Sequence, residues 1–99
     1  MVASEFEDLH GRKIKLTAER WTHIVLRHPE VSVHFNDISS VLNDPDIIIR
    51  SRFEENARLY HKKYKDYYLV VVVDTFKKFV VTAYASYHIK KGDLEWKKS

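Results

Sequence analysis

The stretch YYLVVVVD, residues 67–74, limits the fold more than any other part of this chain. Its continuous apolar run, residues 69–73, consists of one leucine and four valines, and β-branched side chains favour a strand. A strand without polar alternation is typical of a position covered on both faces of a sheet. We therefore expect residues 67–74 to form a central strand.

Three similar segments surround this strand and are rich in β-branched and aromatic residues. They are IIIRSRF (47–53), NARLYHKKY (56–64) and FVVTAYASY (79–87). The gaps between them are short, which predicts hairpins and an antiparallel meander. After them, HIKKGDLEW predicts a turn at Gly92 and a tryptophan that packs back onto the domain.

The N-terminal half predicts helices after one short strand, RKIKL (12–16). Thr17 is a good N-cap, and Pro29 disfavours helical geometry at the residue before it. The side chains between them that share one helix face are Trp21, Ile24, Val25 and His28. A second apolar stripe predicts a helix over residues 35–43, which the turn sequence NDPD ends.

These elements predict one α+β domain over residues 1–99, with about residues 1–11 frayed. Two N-terminal helices should pack on one face of a four-stranded antiparallel sheet. The core expected between helix and sheet consists of Trp21, Ile24, Val71, Val73, Phe79 and Val81.

The charge of the chain is unevenly distributed. Residues 1–45 hold 5 Lys/Arg and 7 Asp/Glu, a net −2, whereas residues 46–99 hold 12 and 7, a net +5. A basic region favours polyanions such as RNA, although it is also compatible with an ordinary solvated surface. The chain has no cysteine, which excludes disulfides and thiolate zinc sites and fits a cytoplasmic protein. The acidic start is unlike a signal peptide, and no apolar run is long enough to span a membrane.

Alternation along the strands predicts an open face of the sheet. In the last of the four strands Thr82 and Tyr84 share one side, opposite the small apolar residues. In the second strand Arg58, Tyr60 and Lys62 alternate with Ala57, Leu59 and His61. Cations and aromatic rings on one face suit single-stranded nucleic acid, where cations meet phosphates and rings stack on bases. The alternative is a wet strand face without a ligand.

His28 is the candidate for proton transfer. It ends a helix rather than lying inside one, and a terminal residue can point into a cleft. Histidine is the usual general acid or base near neutral pH. The alternative is a histidine that only completes the helix boundary. Neither HExxH nor another metal-ligand spacing is present, so we expect no metal and no other cofactor.

Taken in order, six segments resemble the phage-associated BECR-type nuclease domains, a group named for barnase, EndoU, the tRNA-cleaving colicins and RelE. The segments are KLTAERWTHIVLRHPE, DPDIIIRS, ARLYHKKY, YLVVVV, FVVTAY and IKKGDLEW, which together run from about Lys13 to Trp96. The resemblance implies a metal-independent endoribonuclease with its site on the exposed face of the sheet. The catalytic residues carried over are His28, Arg58, Thr82 and Tyr84, and the IKKG lysines are Lys90 and Lys91.

In such an enzyme the 2′-OH of RNA attacks the adjacent phosphate, and the protein supplies a base, an acid and cations. RNA is the expected substrate, and Tyr60, Lys62, Lys90 and Lys91 are the expected RNA-binding residues. A toxin-like or mobile-element protein of this kind would be restrained by an acidic inhibitor, of the antitoxin or immunity type. The alternative is a non-catalytic module on the same fold that binds RNA or a protein.

Overall fold

The computed structural model describes residues 3–99, and the part of the predicted frayed segment at Met1 and Val2 lies outside them. No helix in this part is long and apolar enough to cross a membrane. The elements, in chain order, are β1 (Ala3–Glu7), β2 (Lys13–Thr17), α1 (Ala18–Arg27), a 3-10 helix (Pro29–Asp37), α2 (Ile38–Asn43), β3 (Ile47–Arg50), β4 (Ala57–Tyr64), β5 (Tyr67–Asp74), β6 (Phe79–Ser86) and β7 (Asp93–Lys97).

The strands form one seven-stranded sheet in the order β1-β2-β6-β5-β4-β3-β7. All pairs are antiparallel except β2 and β6, which run parallel and pair through Lys15 and Phe79. The prediction of two helices on a four-stranded antiparallel sheet of the BECR type is therefore wrong, because β1, β2 and β7 extend the sheet at both edges. The coarser class, a compact α+β domain, is the one the structure has.

The segment expected to be frayed contains an ordered edge strand. β1 pairs with β2 from Ala3–Thr17 to Glu7–Lys13. Asp8 follows β1 and is buried, and its Oδ1 accepts the backbone N–H groups of His10 and Arg12 at 3.0 and 2.8 Å. These bonds close the β1–β2 turn, which explains why a polar N-terminal segment is held against the sheet.

The main core lies between the helices and one face of the sheet, here called the helix face. Ile24 of α1 packs there with Val71 and Val73 of β5, as predicted. Trp21 is half-buried at its margin and meets Phe35 edge to face, with ring centroids 5.1 Å apart. The tail also packs back as expected, since Trp96 of β7 lies against the same core.

β6 contains a bulge that the sequence pattern does not predict. Thr82 pairs with Val72 of β5, but the next pair joins Val80 to Val73, so Val81 is an extra residue. Val80 and Ala83 are both fully buried although they are three residues apart. The expectation that Phe79 and Val81 enter the core is therefore wrong, because the bulge reverses the alternation and brings in Val80 instead.

The other face of the sheet, here called the second face, is crossed by residues 87–92, which connect β6 to β7. Lys90 N–H in this segment donates to Nε2 of His61 on β4 at 3.0 Å, and His61 is fully buried. Gly92 passes so close to β3 that a Cβ there would collide with Ile49 and lie 2.6 Å from the Arg50 carbonyl oxygen. Glycine at this position allows the crossing segment to lie directly on the sheet.

Candidate functional site

α1 places His28 at its end. The Thr17 hydroxyl caps the helix by accepting the Arg20 N–H at 3.1 Å, as the sequence predicted. At the other end the His28 N–H still donates to the Ile24 carbonyl at 2.7 Å, but its backbone has left helical geometry, with φ −132° and ψ 73°. Pro29 causes this break, since proline disfavours the helical region for the residue before it. The His28 side chain is consequently turned out of the helix and is half-buried.

The free edge of β6 faces α1 and the 3-10 helix. Within the described residues β6 pairs with β2 only at Phe79, so the edge beyond this residue has no strand beside it. Glu30, at the start of the 3-10 helix, occupies part of this edge, and its Oε2 accepts the Ala85 N–H at 3.3 Å. The bulge lies in the same stretch and presents Thr82 at the edge. Bulges often re-aim a side chain next to a functional site.

His28 and Tyr84 meet at this edge, with ring centroids 5.5 Å apart and ring planes at 45°. Lys90 approaches the same tyrosine from the crossing segment, with its Nζ 5.5 Å from the ring centroid. Burial raises the pKa of Tyr84, so its phenol keeps its proton near neutral pH. Tyr84, which lies between the His28 imidazole and the Lys90 cation, can therefore donate a hydrogen bond through its hydroxyl.

Glu30 completes this group. Its Oε2 lies 3.7 Å from Nδ1 of His28, beyond a direct hydrogen bond but within the range of an ion pair. Sequence reasoning could not say where Glu30 points after Pro29, whereas the structure directs it toward His28 and β6. The edge of β6 therefore holds a carboxylate and an imidazole side by side, and either can exchange a proton with a ligand.

A cavity of about 600 Å³ lies between α1 and the β6 bulge. Val81 and Thr82 line it from the sheet, and His28 lines it from the end of the helix. The remaining polar walls are mainly basic side chains of α1, namely Arg20, His23 and Arg27. The structure thus brings His28 and Thr82 to one cavity, beside a basic helix face.

Three predicted residues of β4 do not join this group, namely Arg58, Tyr60 and Lys62. The expectation that they share a face with Thr82 and Tyr84 is wrong. Tyr60 pairs with Val71 on the helix face, whereas Tyr84 pairs with Val70 on the second face. Side chains of directly opposed residues share a face, so β4 turns its basic and aromatic side chains toward the helices. Alternation within β4 and within β6 does not fix which side chains of the two strands share a face, because that depends on register.

Each of these three side chains is engaged elsewhere. Arg58 donates through Nε to Glu95 of β7 at 2.5 Å, and Lys62 donates through Nζ to the Asp44 carboxylate at 3.1 Å. Tyr60 is fully buried, so it cannot stack on a base of bound RNA. The predicted role of Arg58 in binding the phosphate would therefore have to be filled by another residue.

A closed polar network explains the burial of Tyr60. Its hydroxyl donates to Asp8 Oδ2 at 2.6 Å, and Arg12 Nε donates to the same oxygen at 2.9 Å. Burial alone would raise the pKa of Asp8, but the bonds from Tyr60 and Arg12 outweigh it and the pKa is lowered. Burial and the neighbouring carboxylate raise the pKa of Tyr60, so the phenol stays neutral. This network ties the turn between β1 and β2 to β4.

Two further histidines have partners that sequence reasoning missed. His61 shares its alternation with Ala57 and Leu59, which was a sign of burial, and its Nδ1 lies 2.9 Å from the Leu59 carbonyl oxygen. His34 is buried in the 3-10 helix, where Nδ1 lies 2.8 Å from Asp37 and Nε2 lies 2.7 Å from the Tyr67 hydroxyl. No local pattern marks the His34 contacts, since Tyr67 lies 33 residues away.

Lys91 is exposed beside Lys90 on the crossing segment. Among residues 3–99 no three His, Asp or Glu side chains are grouped as the ligands of a metal ion would be. No family model, no curated protein and no solved structure matches the chain.

Proposed function

We propose that the protein is a metal-independent endoribonuclease that acts at the free edge of β6. The observation that carries the proposal is the contact between His28 and Tyr84, with Glu30 3.7 Å from the imidazole. Beside it lies the cavity lined by Thr82. The resemblance of the sequence motifs to phage-associated BECR-type nuclease domains supports the same activity, although the sheet of this chain differs from the four-stranded sheet expected of that group.

The reaction needs two proton transfers. A base removes the proton of the ribose 2′-OH, whose oxygen forms a bond to the adjacent phosphorus. The bond from phosphorus to the 5′ oxygen breaks, and that oxygen takes a proton from an acid, leaving a 2′,3′-cyclic phosphate and a 5′-OH. His28 and Glu30 divide these two transfers between them. Thr82 and Tyr84 donate to the non-bridging oxygens, and Lys90 adds positive charge.

The test is cleavage of a labelled RNA pool in EDTA. Wild type should yield 2′,3′-cyclic ends and should leave a DNA of the same sequence intact, because DNA lacks the attacking hydroxyl. His28→Ala should lower the rate by about 10²–10⁴, the usual contribution of a positioned acid or base. Glu30→Gln should remove one limb of the pH–rate profile, which identifies whether Glu30 is the base or the acid. His10→Ala, an exposed histidine on the β1–β2 turn, is the matched control.

If the His28→Ala variant cleaves RNA at the wild-type rate, His28 takes no part in the mechanism. Tight RNA binding without cleavage by wild type would favour the second candidate, a non-catalytic RNA-binding module. That candidate has one observation in its favour, since Arg58 pairs with Glu95 and so leaves the proposed site without the arginine expected at its phosphate. A cytoplasmic ribonuclease of this size would need restraint, and an acidic inhibitor protein is the partner that we propose for it.

A further inference from the structure

Four of the twelve Lys and Arg residues of the C-terminal half, which suggested a nucleic-acid surface, are paired with carboxylates in the fold. Arg52 pairs with Asp93 and Arg58 pairs with Glu95. Lys62 and Lys98 share the Asp44 carboxylate at 3.1 and 2.9 Å. A cation held by a carboxylate has less attraction left for a phosphate, because binding would first have to replace that pair. These four cations are therefore less available to a polyanion than their number suggests.

The two arginines of α1 differ from these four cations. Arg20 and Arg27 are exposed, and the ion pairs formed among residues 3–99 include neither of them. With His23 they occupy positions i, i+3 and i+7, which lie on one face of a helix. That face borders the cavity against the β6 bulge, and Glu19 is the single carboxylate among the residues that line it. Two free guanidinium groups thus meet a cavity with one opposing charge.

The position of this cavity relates it to the proposed cleavage site. His28 lines the cavity and also contacts Tyr84, so one imidazole belongs to both places. Thr82 adds a hydroxyl to the cavity wall opposite the helix. A strand of RNA lying along α1 would therefore arrive at His28 without crossing a barrier of acidic side chains.

We propose that this cleft, between the Arg20–Arg27 face of α1 and the β6 bulge, binds the phosphodiester backbone of single-stranded RNA. Arg20 and Arg27 are about 10 Å apart along the helix axis, at 1.5 Å per residue, so they contact different phosphates of one strand. Guanidinium groups suit this task because their planar donors bind phosphate oxygens in pairs. The direction of the strand toward His28 rests on the proposed function, whereas binding by the cleft does not.

The experiment measures binding without cleavage. The probe is a fluorescently labelled single-stranded 2′-O-methyl oligonucleotide, which lacks the free hydroxyl needed for attack, and its affinity is followed by anisotropy over a range of salt. Each lost phosphate contact should reduce the slope of log K against log salt by about 0.7. R20Q/R27Q should reduce it by about 1.4, which lowers affinity at 0.1 M salt roughly 25-fold if the value at 1 M is unchanged. The matched control is the double variant R50Q/K97Q, which removes two exposed cations at the far edge of the sheet.

The proposal predicts a full slope for R50Q/K97Q and a reduced slope for R20Q/R27Q, with both variants melting at the wild-type temperature. An unchanged slope in R20Q/R27Q, an equal reduction in both double variants, or no binding of the probe by wild type would each overturn it. Cleavage of unmodified RNA is scored separately. Binding through the cleft without any cleavage would refute the nuclease proposal and leave the cleft as an RNA site.

Discussion

Two tyrosines, one on each face of the sheet, have different surroundings. On the helix face Tyr60 and Asp8 are buried and bond each other and Arg12, so the polar atoms find their partners inside the domain. On the second face Tyr84 is only half-buried, and it lies between the imidazole of His28 and the cation of Lys90. A closed network stabilises a fold, whereas groups at an accessible edge can exchange partners with a ligand. The comparison therefore favours the edge of β6 beside Tyr84 as the place for the proposed chemistry.

The largest effect on stability should come from the apolar part of the helix face. Ile24 of α1 is 2% exposed, and truncation to alanine should lower the free energy of unfolding by about 2–5 kcal/mol. Leu26 is the matched control on the same helix, because it is 74% exposed and its truncation should cost less than about 0.5 kcal/mol. Urea denaturation of both variants measures the difference. Equal losses would mean that α1 does not pack against the sheet through Ile24.

A smaller loss of stability is expected from removing a tyrosine hydroxyl, and it should differ between the two faces. Tyr60→Phe deletes a buried hydroxyl that donates to the Asp8 carboxylate, which should cost about 1–3 kcal/mol. Tyr84→Phe removes the same atom from the second face, where it should cost less than about 0.5 kcal/mol of stability. For the proposed ribonuclease activity the order should reverse, with Tyr84→Phe the more harmful change. A Tyr84→Phe protein that loses as much stability as Tyr60→Phe would remove the contrast between a closed network and an open one.

Local patterns predicted some of the elements. Thr17 and Pro29 mark the two ends of α1, and the apolar run at residues 69–73 lies in the central strand β5. These features could be read from the sequence because caps, prolines and β-branched runs act within a few residues of themselves. The second predicted helix was placed correctly in part, since residues 38–43 are α-helical and the residues before them form a 3-10 helix.

The relation between strands could not be predicted in the same way. Whether Tyr60 shares a face with Tyr84 depends on register and on the extra residue Val81, and alternation within one strand is silent on both. The burial of Tyr60 depends on Asp8, which is 52 residues away. For the site, the sequence was sufficient to single out His28, but the neutralisation of Arg58 by Glu95 appears only once β7 is placed beside β3.

The smallest effect concerns how the second face holds its crossing segment. His61 is buried, and this burial lowers its pKa, with the charge of Lys90 acting in the same direction and the Leu59 carbonyl against it. In the neutral ring Nε2 accepts a hydrogen bond from the Lys90 N–H. A protonated ring cannot accept it, because both of its nitrogens carry a proton. Because the folded state disfavours the imidazolium, this contribution to stability is fully present above about pH 6.5, the ordinary pKa of histidine. It is lost as the pH falls below that value toward the lowered pKa.

Hydrogen exchange at the Lys90 amide measures this loss, provided that the rates are corrected for the intrinsic dependence of exchange on pH. Protection of this amide should be constant above about pH 6.5 and should decline at lower pH, while amides of the central strand β5 decline less. His61→Gln is the control, because its side-chain oxygen can accept the same N–H but does not titrate. Protection at Lys90 that declines equally in wild type and His61→Gln would show that His61 does not hold the segment. Since Lys90 also lies over Tyr84, loosening the segment should move the cation away from the proposed site, and RNA binding should lose part of its salt dependence over the same range of pH.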